Sequence, residues 1–134
     1  MLPSLEICTP TLSSALIALS HPSATIELCS SLEVGGLTPS RYDIVRALQE
    51  NDNGQDRVAV LVRPRGGGFA YNDLEKESIR GEILGILNDA PKGCGVRFVV
   101  GCLEEGGKKL DLGYLQGLCT EFAGRGLSGR FTDV

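Results

Sequence analysis

Residues 57–87, RVAVLVRPRGGGFAYNDLEKESIRGEILGIL, decide the fold. The stretch opens on a valine-rich run, Arg57 to Val62, too short for a helix and apolar enough to be a buried strand. A glycine-rich loop, RPRGGGF at 63–69, interrupts it. From Asn72 or Asp73 to about Leu87 the apolar residues recur at helical spacing, with Leu74, Ile79, Ile83 and Ile86 or Leu87 expected to face inward. Strand, glycine loop and helix together make one βα unit.

The same unit recurs on both sides. Leu5 to Thr9 reads as a strand, followed by a helix over about Thr11 to Leu19 with Leu12, Ala15, Leu16 and Leu19 on its apolar stripe. Thr25 to Cys29 is a second strand. Its loop carries Gly35 and Gly36 and leads to TPS at 38–40, where Thr38 or Ser40 caps a helix to about Glu50 with Ile44, Val45 and Leu48 inward. The polar run at 51–56 is a turn, Gly95 to Cys102 a fourth strand, and Leu112 to Ala123 a fourth helix. Four βα units in a row predict an α/β fold with a parallel sheet covered by helices. The 18 glycines cluster after the strands, where parallel folds build their sites. His21 falls in a helix-to-strand connection at the opposite end and reads as structural.

Composition removes several function classes. The 134 residues, 42% of them apolar and with a net charge of -4, fit a soluble globular domain. Without a basic patch, nucleic acid is not expected as a partner. Apolar runs end far short of the roughly 18 to 20 residues that span a bilayer, and the N-terminus MLPSLEIC lacks a basic, then apolar, leader. The expected location is cytoplasmic. Ser-His-Asp catalysis, two-histidine zinc hydrolysis and methionine-rich copper sites need residues that a chain with one histidine and one methionine mostly lacks. Five cysteines, without a CxxC pair or a leader, read as reduced thiols.

The first two strands echo one another, LEIC at 5–8 and IELC at 26–29. Side chains alternate along a strand, so Glu6 and Cys8 share one face and Glu27 and Cys29 mirror them. In neighbouring strands about 4.8 Å apart, two carboxylates and two thiols would form rows on one face. Buried carboxylates need partners, and Arg63 and Arg65, at the end of the third strand with matching parity, are the candidates. Glu6, Glu27, Arg63 and Arg65 thus form a candidate ligand-binding cluster, with Cys8 and Cys29 one layer nearer the loops. Paired thiolates suit a soft ion such as Cu(I); equally, cysteine packs as a small hydrophobe and the carboxylates serve as structural ion pairs. An enzyme reading is also open, with Glu6 or Glu27 as acid or base and the arginines clamping an anionic substrate. Tyr71, Asp73 and Glu75 read as ligand contacts or as helix capping. Asp111 reads as a cap. Cys102 is a possible third thiol, while Cys94 and Cys119 read as packing residues.

LEIC at 5–8, IELCSSLEVGGLTPS at 26–40, RPRGGGFAYNDLE at 63–75 and VVGCLEEGGKKLDL at 99–112 resemble, in order and spacing, the N-terminal half of the CutC copper homeostasis family. The resemblance runs from about residue 4 to residue 123. It implies the first half of a (β/α)8 TIM barrel, often dimeric and cytosolic in the family, with a link to copper tolerance and no firmly attached enzymatic activity. The family's proposed Cu(I) ligands match Cys8 and Cys29. Gly68 stands where the family usually has Asp, and Thr25 where it has a basic residue. After the fourth helix the chain reads GLSGRFTDV instead of a fifth strand, so residues 1–134 are expected to be a truncated, partial barrel domain with a divergent tail at 124–134. Open strand edges in such a half barrel predict self-association or pairing with a second half.

Overall fold

A computed structural model describes residues 5–51, 56–123 and 125. Four strands and four main helices alternate along the chain: β1 (Leu5–Thr9), α1 (Leu12–Leu19), β2 (Ala24–Leu28), α2 (Arg41–Leu48), β3 (Val58–Leu61), α3 (Asp73–Asp89), β4 (Arg97–Val99) and α4 (Leu112–Phe122). The strands form one parallel sheet in the order β1-β2-β3-β4. The expected α/β architecture of four βα units is therefore present. A short 3-10 turn, Leu32–Val34, breaks the loop after β2. Most of the expected divergent tail at 124–134 lies outside the described residues, as does most of the turn at 51–56.

Each helix starts where a side chain can take up its free N–H groups. Thr11 caps α1 in a capping box with Ser14, and Ser40 caps α2 through Asp43 N. Asn72 caps α3 in a capping box with Glu75, and Asp111 caps α4 through Tyr114 N. The helices cover one face of the sheet. There Ile26, Leu28, Val58, Val60, Val62, Phe98 and Val100 meet Ala15, Ile44, Ala47, Ile79, Ile83, Leu115, Leu118 and Phe122. All four residues of β3 are buried, as expected of a central strand covered on both faces. Leu74, expected to face inward, is instead 75% exposed: it sits in the first turn of α3, off the stripe of Ile79, Ile83 and Ile86.

The other face is concave and mixed. A small apolar patch of Cys29, Ala59, Leu61 and Val99 lies there beside Glu6, Cys8, Glu27 and Arg97. At the end of the sheet where the strands begin, Arg57 is buried and donates to the carbonyls of Ala24, Leu19 and His21. His21 thus contributes its carbonyl to the closure of that end. No described helix is long and apolar enough to cross a membrane.

Candidate functional site

The site is built on the concave face from the register of the four strands. Cys8 lies opposite Glu27, Glu27 opposite Ala59, and Ala59 opposite Arg97, so these four form one layer across the sheet. β2 is therefore offset from the pairing that the LEIC and IELC echo suggests, which set Cys8 against Cys29 and Glu6 against Glu27. Glu6 faces Thr25 instead. A slip of two residues keeps every side chain on its face, so the carboxylates and thiols still share one surface.

The thiols still meet, diagonally: Cys8 Sγ and Cys29 Sγ are 3.8 Å apart. Cys8 is exposed and Cys29 is buried, at 3% exposure. Cys29 N–H donates to the Thr9 carbonyl and the Thr9 hydroxyl to the Glu27 carbonyl, which locks the two strand ends together. Burial, then the neighbouring Cys8 thiol and the Glu27 carboxylate, push the Cys29 thiol up to about 12. The loop after β2 roofs this residue. Gly36, at φ +98°, approaches so closely that a Cβ there would lie 2.9 Å from Leu61 Cδ2 and 3.7 Å from Cys29 Cβ. Only glycine fits both the conformation and the space.

The charged partner of the carboxylates is Arg97, which the sequence reading passed over. Its Nη1 lies 2.8 Å from Glu6 Oε2 and its Nε 3.5 Å from Asp56 Oδ1. Burial, and then the Glu6 carboxylate, raise the Glu27 carboxyl above its ordinary range, with Arg97 opposing. The signal was present in the sequence: Arg97 has the parity of Val99, opposite to the core residues Val96, Phe98 and Val100.

Arg63 and Arg65 do not join this cluster. Arg63 donates to the carbonyls of Val34, Gly36 and Gly67 and lies over the Phe69 ring, 4.7 Å from its centre. Arg65 grips Glu75 with Nε at 2.7 Å and Nη2 at 3.2 Å, donates to the Gly66, Gly68 and Ala70 carbonyls, and lies over Tyr71. Both arginines therefore tie the glycine loops together, because those loops offer many main-chain acceptors and a guanidinium has several donors to give them. Arg63 nevertheless reaches the site indirectly, since it holds the Gly36 segment over Cys29. Glu75 is a capping and ion-pairing residue, and Arg65 first, then the Asn72 N–H, hold its carboxyl below the ordinary range. Asp111 likewise caps α4 and pairs with Lys76 at 2.8 Å. Cys102 is buried in the helix-side core, on the far side of the sheet from Cys8 and Cys29, and cannot act as a third thiol with them.

Comparison with known proteins agrees with this architecture. The CutC family model matches residues 3–131. A CutC protein of Vibrio campbellii is 38% identical over 120 residues, covering 89% of this chain and 44% of that protein. A human protein named copper homeostasis protein cutC homolog is 38% identical over 79 residues, 59% of this chain and 28% of the relative. A solved structure from Streptococcus agalactiae, described as a copper homeostasis protein CutC, superposes with a TM-score of 0.73 at 33% identity and covers 93% of this chain and 57% of that one. The chain thus spans less than half the length of these two curated relatives. On the family match and the shared fold, the chain belongs to the CutC family.

Proposed function

We propose that this chain serves copper homeostasis by holding Cu(I) between Cys8 and Cys29, in the cytoplasm. The observation that carries this reading is the pair of sulfurs 3.8 Å apart on the open face of the sheet, one reachable from solvent. Among the described residues no group of three or more His, Cys, Asp and Glu side chains could hold a metal ion. A four-ligand ion such as zinc therefore has no donor set here, while two soft thiolates are the ligands that Cu(I) prefers. The relatives named for copper homeostasis support the same assignment.

The residues divide the work simply. Cys8 meets the ion first, and Cys29 supplies the second sulfur from beneath the Gly36 roof. Binding must expel the Cys29 proton, which its surroundings hold tightly. Glu27, directly opposite Cys8 in the sheet, is the nearest carboxylate in that layer. The competing reading, an enzyme clamping an anion with Arg63 and Arg65, loses its clamp because both guanidinium groups are occupied by loop carbonyls and, for Arg65, by Glu75.

Anaerobic titration with Cu(I) against a chromogenic chelator tests the proposal. One ion per chain is expected, with loss of that affinity in both Cys8→Ser and Cys29→Ser and no change in Cys119→Ser. Equal affinity in all four proteins would overturn it.

A further inference from the structure

We infer that Cys8 and Cys29 are also an oxidation-sensitive pair, which hydrogen peroxide closes into a disulfide. All five cysteines are free thiols, and these two are the one pair of sulfurs in contact among the described residues. Cys8 lies in β1 and Cys29 directly follows β2, its neighbour in the sheet, with both side chains on the concave face. Neither sulfur has to cross the sheet to meet the other. A disulfide holds its sulfurs about 2.05 Å apart, so the gap of 3.8 Å must close by about 1.8 Å. Rotation of the Cys8 side chain about its Cα–Cβ bond covers a step of that size. The main chain is already tied at this point, since Cys29 N–H donates to the Thr9 carbonyl at 3.2 Å and the Thr9 hydroxyl to the Glu27 carbonyl at 3.2 Å. By contrast, Cys102 is buried in the helix-side core and Cys94 donates to the carbonyls of Leu48 and Gly95.

The two thiols are matched to the two steps of such a reaction. Cys8 is exposed among the described residues, whereas Cys29 is 3% exposed under the Gly36 roof and its surroundings keep it protonated. Cys8 therefore reacts first. Its sulfur attacks one oxygen of hydrogen peroxide: an S–O bond forms, the O–O bond breaks, and the departing hydroxide leaves as water with the Cys8 proton. The Cys29 sulfur then attacks the Cys8 sulfur of this sulfenic acid. The S–S bond forms, the S–O bond breaks, and the hydroxide takes the Cys29 proton and leaves as a second water. Two electrons pass from the sulfurs to the peroxide. Burial of Cys29 does not hinder the second step, because its target is already in contact. The consequence for the metal rests on the Cu(I) reading of this pair, while the bond itself does not. Since no group of three or more donors that could hold a metal ion exists among the described residues, oxidation removes both sulfur ligands of the ion in one event. An ion already seated between the sulfurs keeps them apart, so binding and oxidation exclude each other.

Peptide mapping by mass spectrometry of the metal-free chain, before and after hydrogen peroxide, tests the bond without copper. A Cys8–Cys29 cross-link within one chain is expected, reversed by dithiothreitol, with Cys94, Cys102 and Cys119 still thiols. Cys29→Ser is expected to stop at the sulfenic acid, which dimedone traps on Cys8, and Cys8→Ser to leave Cys29 unreacted. In the parent, two unreacted thiols, a Cys8 oxidised to sulfinic acid beside a free Cys29, or a bond to any other cysteine or to a second chain would each overturn the inference, whatever the variants do. So would an oxidised chain, freed of peroxide, that binds Cu(I) as tightly as the reduced one. A disulfide that forms in a chain whose reduced state has no Cu(I) affinity would instead defeat only the copper assignment.

Discussion

Arg97 of β4 and Glu6 of β1 are joined at 2.8 Å across the concave face, so the two outermost strands of the sheet are linked by their side chains and not by their backbones. Arg97 is buried while the Glu6 side chain keeps 30% of its surface exposed, and this asymmetry governs what their removal does. Without Glu6 the buried guanidinium keeps its desolvation penalty with only the longer Asp56 contact against it, whereas the more open carboxylate can be rehydrated.

Glu6→Gln is therefore expected to lower stability by about 2 kcal/mol and Arg97→Met by about 1 kcal/mol. The double variant is expected to be more stable than Glu6→Gln alone, because the buried charge left with only the longer Asp56 contact is gone. Urea unfolding of the three proteins checks the order. A double variant whose losses simply add would show that the pair is not coupled.

The strands and helices were legible because each strand is a short apolar run bounded by glycine or polar residues and each helix keeps a 3.6-residue stripe. β1 occupies the span its sequence suggests. The face shared by Glu6, Cys8, Glu27 and Cys29 was also legible, since side-chain parity survives a two-residue slip. Register itself was not, because the LEIC and IELC echo matches residue types while hydrogen bonding between strands does not depend on them. The roles of Arg63 and Arg65 were hidden for a related reason: their partners are mostly backbone carbonyls of Val34, Gly36, Gly66, Gly67 and Gly68, which residue types do not reveal.

Gly36 is the tightest point of the roof over Cys29. Gly36→Ala combines an unfavourable positive φ with a Cβ at 2.9 Å from Leu61, and a loss of about 1–3 kcal/mol is expected. Because the same segment covers Cys29, its thiol should also react faster with an alkylating reagent in the variant. Unchanged melting and unchanged thiol reactivity would show that the loop yields freely.

Leu74 gives the opposite expectation. Its 75% exposure predicts that Leu74→Gln changes stability by less than about 0.5 kcal/mol, whereas Ile83→Ala, in the core, should lower it by about 2–4 kcal/mol. Comparable losses at the two positions would return Leu74 to the core.

Glu27 makes stability depend on pH. Its folded carboxyl titrates above the ordinary value of 4.5, so the folded state holds the proton more tightly than the unfolded chain. The resulting stabilisation is fully present below 4.5 and is lost as pH rises through the higher folded value. Glu27→Gln should remove this loss, making the variant more stable relative to the parent at pH 7 than at pH 4. A parent and variant with parallel stability curves across that range would rule out Glu27 as the source.

Copper uptake should carry its own pH dependence. The Cys29 thiol, at about 12, is protonated at neutral pH, so each bound ion must displace that proton. Apparent affinity for Cu(I) is then expected to rise at least about tenfold per pH unit between pH 6 and 8, by the linkage of one released proton. Cys29→Ser should lower this slope by one released proton and lose the tight binding, because the second sulfur and its proton disappear at once. A slope in the parent no steeper than that of Cys29→Ser would mean that Cys29 releases no proton and is not a ligand, leaving the exposed Cys8 to bind alone.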